Sequence, residues 1–402
     1  MYQWVIIGGG IQGCTIAAHL LLSGKVNKND LLIIDPFPEP LEKWKRLTQR
    51  VGMDYLRSPS VRHLHPDPYH LKSFAKTSDY AGGFKGYYKR PKLDMFNDHC
   101  MEIFEIAGLE NCWETAWAES LDKNGNLWSI TTSSNRKVVS KQVVLALGVN
   151  DQPYYPGWAE PLVKEAPDLI SHVFSERGME AFHGASPAAI TGAGTTAVHL
   201  ALKQAHHSSE PVYLIKRHPF RVKDFDSDPG WLGPKFLNQY ERINSYQERR
   251  KVITKARNRG SVTQSLYSLL KRREAEGKIE IITDDIMTAD VHEGKIKLQL
   301  KKQGKFSAGS LLLATGAASC LPGKGLVEEV IRKNQLPCAP CGFPVVSKEL
   351  EWADGLFVSG ALAELEIGPV ARNIAGARKA AQRILERLEE RLSERKSASY
   401  RS

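Results

Sequence analysis

The sequence is poor in cysteine, with six in 402 residues. That density excludes the disulfide framework of a small secreted domain. Cys14, Cys100, Cys112 and Cys320 stand alone, and only Cys338 and Cys341 form a CxxC pair. No apolar run approaches the ~20 residues needed to cross a bilayer. The start of the chain shows neither a basic leader region nor a small-residue cleavage site. The expectation is a cytoplasmic protein that does not use the membrane. Repeats of solenoid length are also missing. What remains is ordinary for a globular protein, 42% hydrophobic and 25% charged, in a chain long enough for two domains.

Charge is unevenly spread. The formal net charge is +10, and much of it falls between Lys235 and Ala275. Eleven lysines and arginines there face only Glu241, Glu248 and Glu274. Few aromatics are interleaved for base stacking, and no nucleic-acid motif is evident, so an RNA partner is disfavoured. A solvated helical face and a basic rim around a phosphate-bearing ligand both fit.

Short apolar runs recur, each followed by a turn: Trp4–Ile7, Val143–Leu147, Ala188–Ile190, Val212–Ile215, Leu311–Leu313 and Leu356–Val358. Continuous apolar strands belong to parallel sheets covered on both faces. Pro153, Pro156, Pro161 and Pro167 mark a connector. The runs at 311–313 and 356–358 read as the return of the first domain. The expected class is α/β, with two Rossmann-like dinucleotide-binding domains. Residues 170–304 form the inserted second domain, and 1–169 with 305–402 form the first. From near Pro369 a helix is expected, with apolar positions Val370, Ile374, Ala377, Ala381, Ile384, Leu388 and Leu392 at helical spacing. Its apolar face could pack on its own domain or build a homo-oligomer.

The first glycine loop, Gly8-Gly-Gly10-Ile-Gln-Gly13, lies between a strand and a helix-like run. Gly8 permits the tight turn, Gly10 lets backbone N–H groups approach a pyrophosphate, and Gly13 allows close helix–strand packing. Asp35 ends the next strand, 22 residues after Gly13, where a carboxylate accepts hydrogen bonds from a ribose diol. This constellation predicts a dinucleotide site, read as FAD.

A second loop, Gly192-Ala-Gly194-Thr195-Thr-Ala197, repeats the pattern with alanine in the third place. Its following strand ends not in an acid but in Lys216 and Arg217, with Arg221 close behind. Cations at that position suit a 2′-phosphate, so NADPH is expected over NADH. One acidic and one basic strand end in a single chain imply FAD plus NADPH, and hence an oxidoreductase.

Further motifs carry a resemblance. Gly52-Met-Asp-Tyr-Leu-Arg57-Ser58-Pro59, His63-Leu-His65, Ser171-His172, Phe225-to-Pro234, Ala314-Thr315-Gly316 and the closing Gly355-to-Asn373 run together resemble the lysine/ornithine N-hydroxylase-like (class B) flavin monooxygenases. The resemblance implies that NADPH reduces FAD and that the reduced flavin reacts with O2, passing oxygen to a small soft nucleophile such as an amine. It places Ser58, Gly316, Gly360, Gly368 and Pro369 beside FAD. Many two-domain flavoproteins carry Gly-Asp at the last strand, where this chain has Gly360-Ala361.

Other candidates stay open. Arg57 could stand near the flavin or the nicotinamide phosphates, or make an ordinary ion pair. Cys338 and Cys341 could serve a disulfide reductase, or simply occupy a proline-bounded loop. His63 and His65 alternate and would share a strand face, but hydrogen bonding or a surface position is the stronger reading, and no metal site is expected. Trp231 could cap the site or pack. A flavin-bearing redox sensor without enzymatic turnover, or an RNA-associated protein, is the remaining alternative.

Overall fold

A computed structural model describes residues 1–80, 82–175 and 186–399, with side chains described as far as residue 394. Two sheets organise it. The first has eight strands among the described residues. Its parallel centre is built from β1 (Tyr2–Ile7), β2 (Leu31–Asp35), β3 (Lys137–Leu145) and the returning Leu356–Val358 strand. Trp113–Thr115 closes one edge, and the hairpin Ala118–Asn124/Leu127–Thr132 branches from β3. In β1 the last four residues are buried, as are the first four of β2. That is the signature of strands covered on both faces. Helices α1 (Ile11–Leu22), α2 (His70–Thr77) and α3 (Leu93–Ala107) lie on one side, centred on the buried Phe96 and Ile16. Trp128, Trp352 and Leu350 anchor the other.

The second sheet is all parallel, in the order Ile279–Thr283, Val212–Lys216, Ala188–Thr191, Ser310–Leu313, Ile170–His172. Helices α4 (Thr195–His207) and α6 (Gln264–Ala275) pack on this sheet, whereas α5 (Tyr246–Ala256) buries Ile253 in the core of the first. Ser245 caps α5 by accepting the Glu248 N–H, in an S-x-x-E arrangement. Thr263 caps α6 in the same way through Leu266.

Two expectations are corrected here. The Leu311–Leu313 run does not return to the first sheet; Ser310–Leu313 lies inside the second, paired on both sides. A four-residue apolar strand ending in Ala-Thr-Gly fits either sheet, and pairing with Ala188–Thr191 decides its place. The chain re-enters the first sheet only through Glu351–Ala353 and Leu356–Val358. The last helix, α7 (Ile374–Ser399), starts five residues after Pro369. Gly368 has φ +90°, which breaks the path into Pro369. Asn373 supplies the cap instead, its Oδ1 accepting the Gly376 N–H at 3.0 Å. From there α7 packs along α1, burying Ile374, Ala381 and Ile384 in the core.

Candidate active site

The first glycine loop has the shape its residues predict. Gly8 has φ +111°, and a Cβ there would lie 2.6 Å from the Ala146 carbonyl oxygen. A Cβ on Gly13 would lie 1.8 Å from the Gly8 oxygen, so strand and helix meet too closely for any side chain. Gly10 differs, for nothing lies within 4 Å of its would-be Cβ. It caps α1 without a side-chain hydrogen bond, leaving first-turn N–H groups directed at open space. That cradle fits a pyrophosphate. Asp35 accepts the Gly9 N–H at 2.6 Å and the Phe37 N–H at 3.0 Å. Burial raises its pKa, and these two amides oppose the rise. Two carboxylate oxygens keep lone pairs beyond the two bonds made, so a ribose diol can still be accepted. Gly9 escaped sequence analysis: a Cβ there would strike the Trp113 ring at 2.0 Å.

Gln12 joins this loop to the end of the chain. Its amide donates to the Ala371 and Asn373 carbonyls at 3.2 and 3.3 Å and accepts from Ser359 Oγ at 2.7 Å. Gly360, at φ +62°, would place a Cβ 3.2 Å from Gln12. Gly360 thus stands beside the first loop, while Gly368 faces Tyr240 and Trp231 and Pro369 lines the cavity of the second sheet. Ser58 is half-buried beside Arg57. Gly316 follows the Ser310–Leu313 strand of the second sheet and lines the cavity that also reaches Pro369.

A cavity of ≈1080 Å³ opens at the carboxyl ends of the second sheet, where ligands bind in open α/β sheets. Gly192 (φ +147°) and Gly194 form its floor. Gly194 caps α4 with no side-chain bond, and Ala197 Cβ would sit 3.1 Å from a Gly192 Cβ, so alanine suffices in the third place. Thr195 lines the cavity, but its Oγ1 donates to the Ser261 carbonyl at 3.0 Å. The loop Arg257–Ser261 therefore crosses the second glycine loop, a feature sequence analysis missed.

The basic strand end separates into two roles. Lys216 is buried and committed, with Nζ on Thr283 Oγ1 at 2.6 Å and on the His218 carbonyl at 3.1 Å. Burial lowers its pKa. Arg217 and Arg221 are exposed on the cavity wall, joined by Arg259. No carboxylate pairs with any of these three among the described residues.

Arg57 also reaches the cavity, but four of its five guanidinium donors are engaged. It donates to the carbonyls of Lys223 and Asp224, to Asp226 Oδ1 at 2.6 Å and to Ser261 Oγ at 2.9 Å. Its role here is to tie the first half to the loops of the second. Trp231 is buried against Phe236 and Tyr240, so it packs rather than caps.

At the cavity's far end lie Pro369, Arg372 and Asn373. Behind them sits Glu364, wholly buried, with Arg250, Arg257 (2.6 Å) and Arg372 (2.8 Å) around it. Burial would raise its pKa, but Arg257, Arg372 and Arg250 overcome this and hold it at about 2. Glu366 takes Arg249 at 2.7 Å. The basic stretch therefore spends Arg249, Arg250 and Arg257 on this cluster, while Lys235, Arg242, Lys251, Lys255, Lys271 and Arg272 are exposed, as on a solvated face. Lys271, Arg272 and Arg273 pair locally with Glu274 and Glu276. Cys338 and Cys341 are free and exposed in a loop outside the cavity lining.

Residues 5–150 match the family model described as FAD-NAD(P)-binding. The amino-terminal part is an FAD/NAD(P)-binding domain. Among solved structures, the FAD-bound cadaverine monooxygenase of desferrioxamine biosynthesis from Erwinia amylovora is similar at a TM-score of 0.75 and 16% identity, over 96% of this chain and 94% of that one. The L-lysine 6-monooxygenase from Pseudomonas syringae gives 0.72 and 16%, over 97% and 99%. The bacillithiol disulfide reductase from Staphylococcus aureus gives 0.60 and 14%, over 96% and 98%. No curated protein matches the sequence. At these identities the likeness establishes a shared fold, that of flavoproteins with two dinucleotide-binding domains. Among the described residues, no helix is long and apolar enough to cross a membrane.

Proposed function

We propose that the protein is an FAD- and NADPH-dependent oxidoreductase working as a flavin monooxygenase on a small amine or similar soft nucleophile. One observation carries the reading. A single cavity runs from the second glycine loop, with its unpaired Arg217, Arg221 and Arg259, to Pro369–Asn373, whose backbone is held by Gln12 of the first glycine loop. Two dinucleotides seated on the two loops would have their reactive ends converge there. When bound, NADPH supplies a hydride to FAD, and the flavin's electrons then reach O2.

The chain's own residues supply binding and orientation. First-turn amides after Gly10 take the FAD pyrophosphate, and Asp35 takes its ribose. Amides after Gly194 hold the second pyrophosphate, while Arg217 and Arg221 take the 2′-phosphate. The monooxygenase neighbours act on cadaverine and L-lysine, which makes primary alkyl amines the first substrates to test. A disulfide reductase is less favoured, because the thiol pair lies outside the cavity lining and no helix follows Cys341.

The test is spectroscopic. FAD-loaded protein should be bleached by NADPH under anaerobic conditions faster than by NADH, and recover in air. With an amine substrate, O2 consumption should outrun peroxide release. Failure to bind FAD removes the oxidoreductase reading. Peroxide equal to O2 consumed with every amine tried leaves an oxidase. Loss of NADPH-driven thiol production in Cys338→Ser would establish the reductase instead.

A further inference from the structure

Away from the cavity, four histidines gather where α2 meets α3. His65 stacks on His70 with ring centroids 3.7 Å apart, and His63 and Phe74 meet the His99 ring edge-on at 4.9 and 5.3 Å. None of these residues lines the nucleotide cavity. His70 Nδ1 and His99 Nε2 lie 2.9 Å apart. Glu102 follows His99 at i+3, on the same face of α3. One donor atom from each of His70, His99 and Glu102 falls within 4.8 Å of the others.

A hydrogen-bonded cluster should satisfy its members, and this one does not. His63 Nδ1, His99 Nδ1 and Glu102 Oε2 are buried without a partner, and His99 itself is fully buried. Leaving the Glu102 oxygen unmade is costly unless something else completes its set; the two Nδ1 atoms face away from the His70–His99 contact and do not bear on it.

We propose that His70, His99 and Glu102 form a site for a first-row divalent cation of the zinc class. Two imidazoles and one carboxylate with an open fourth position are a common donor set for such ions. Zinc places its ligands about 2.0–2.2 Å from the metal, so the rings need little movement and the flexible Glu102 side chain closes the remaining gap. The proton between His70 and His99 can move to the other nitrogen of its ring, which frees both facing lone pairs with no change of ring charge. His65, stacked on His70, fixes that ring's plane, and Arg378 holds the supporting segment through the carbonyls of His63, His65 and Pro66. The bound ion would cross-link α2 to α3.

Chelator-stripped full-length protein is titrated with zinc(II), and separately with cobalt(II), whose visible absorption reports coordination. One equivalent should bind, with a cobalt spectrum free of thiolate charge transfer. His70→Gln and Glu102→Gln, both at half-buried positions, should weaken binding by roughly 100-fold, more than outer-shell changes usually cost. Their far-UV circular dichroism without metal should match wild type. His99 is left intact because its burial makes it structural. Failure of wild type to bind one equivalent overturns the proposal. So does unchanged affinity in both variants, or metal that departs with Cys338→Ser/Cys341→Ser.

Discussion

Replacing Glu364 by glutamine keeps the shape of the side chain and removes its charge. Three guanidiniums then face one another in a buried site with no counter-ion. Glu364 titrates at about 2 against an ordinary 4.5, and that depression is worth about 3 kcal/mol. The independent expectation for breaking a buried ion pair from one side, about 3–5 kcal/mol, agrees. Because the folded pKa is depressed, this stability is fully present above the unfolded value and is lost as pH falls from about 4.5 toward 2. Urea titrations at pH 7 should therefore place Glu364→Gln about 3 kcal/mol below wild type, and the gap should narrow by about half as the buffer is taken to pH 3. Arg250 and Arg257 lie in and just beyond α5, which packs on the core of the first sheet, so the variant should also loosen that helix, read as faster amide exchange at residues 249–257. A variant within about 0.5 kcal/mol of wild type at pH 7, or a gap that does not narrow with acid, would refute the assignment of Glu364 as the anion holding these arginines.

Four further outcomes follow from the loops and from the cap of α7. Gly10→Ala meets nothing within 4 Å at an ordinary φ of −81°, so melting should stay within about 1 kcal/mol of wild type while FAD affinity falls, measured by flavin fluorescence. Gly13→Ala, with its Cβ 1.8 Å from the Gly8 oxygen, should cost about 3 kcal/mol or more in the same melt. Arg217→Ala/Arg221→Ala should raise KM for NADPH roughly tenfold or more, since each charge-assisted hydrogen bond contributes about 1.5–3 kcal/mol, and leave KM for NADH unchanged. Asn373→Ala removes the cap of α7 and should cost about 1 kcal/mol in urea denaturation.

What could be read from the sequence was local. The turn at Gly8, the close packing at Gly13 and the acid at Asp35 are set within one strand–loop–helix unit, so spacing alone reveals them. Strand Ser310–Leu313 was misplaced because its residues suit either sheet, and only its register against Ala188–Thr191 and Ile170–His172 assigns it. The start of α7 was misread because proline favours a helix's first turn, whereas the backbone at Gly368 diverts the chain until Asn373. Glu364 was visible only as an acid near Gly360; its arginine partners lie up to 114 residues away. The pairing of His99 with Glu102 at i+3 was a local signal, but the approach of His70 from another helix was not.

The same distance effect explains the basic stretch. Read along the chain it carries a large positive charge, which invites a polyanion. In the fold, Arg249, Arg250 and Arg257 face Glu364 and Glu366, and Lys271, Arg272 and Arg273 face neighbouring glutamates. Partnered arginines have little field left to offer an incoming phosphate. On the cavity wall, the arginines without carboxylate partners among the described residues are Arg217, Arg221 and Arg259. On the proposed reading, selectivity for a 2′-phosphate would follow from which arginines the protein leaves unpaired rather than from how many it has. Neutralising the helical lysines and arginines of 271–273 should accordingly leave the NADPH preference intact, and a shift toward NADH in such a variant would show that the whole stretch, not the cavity wall, selects the cofactor.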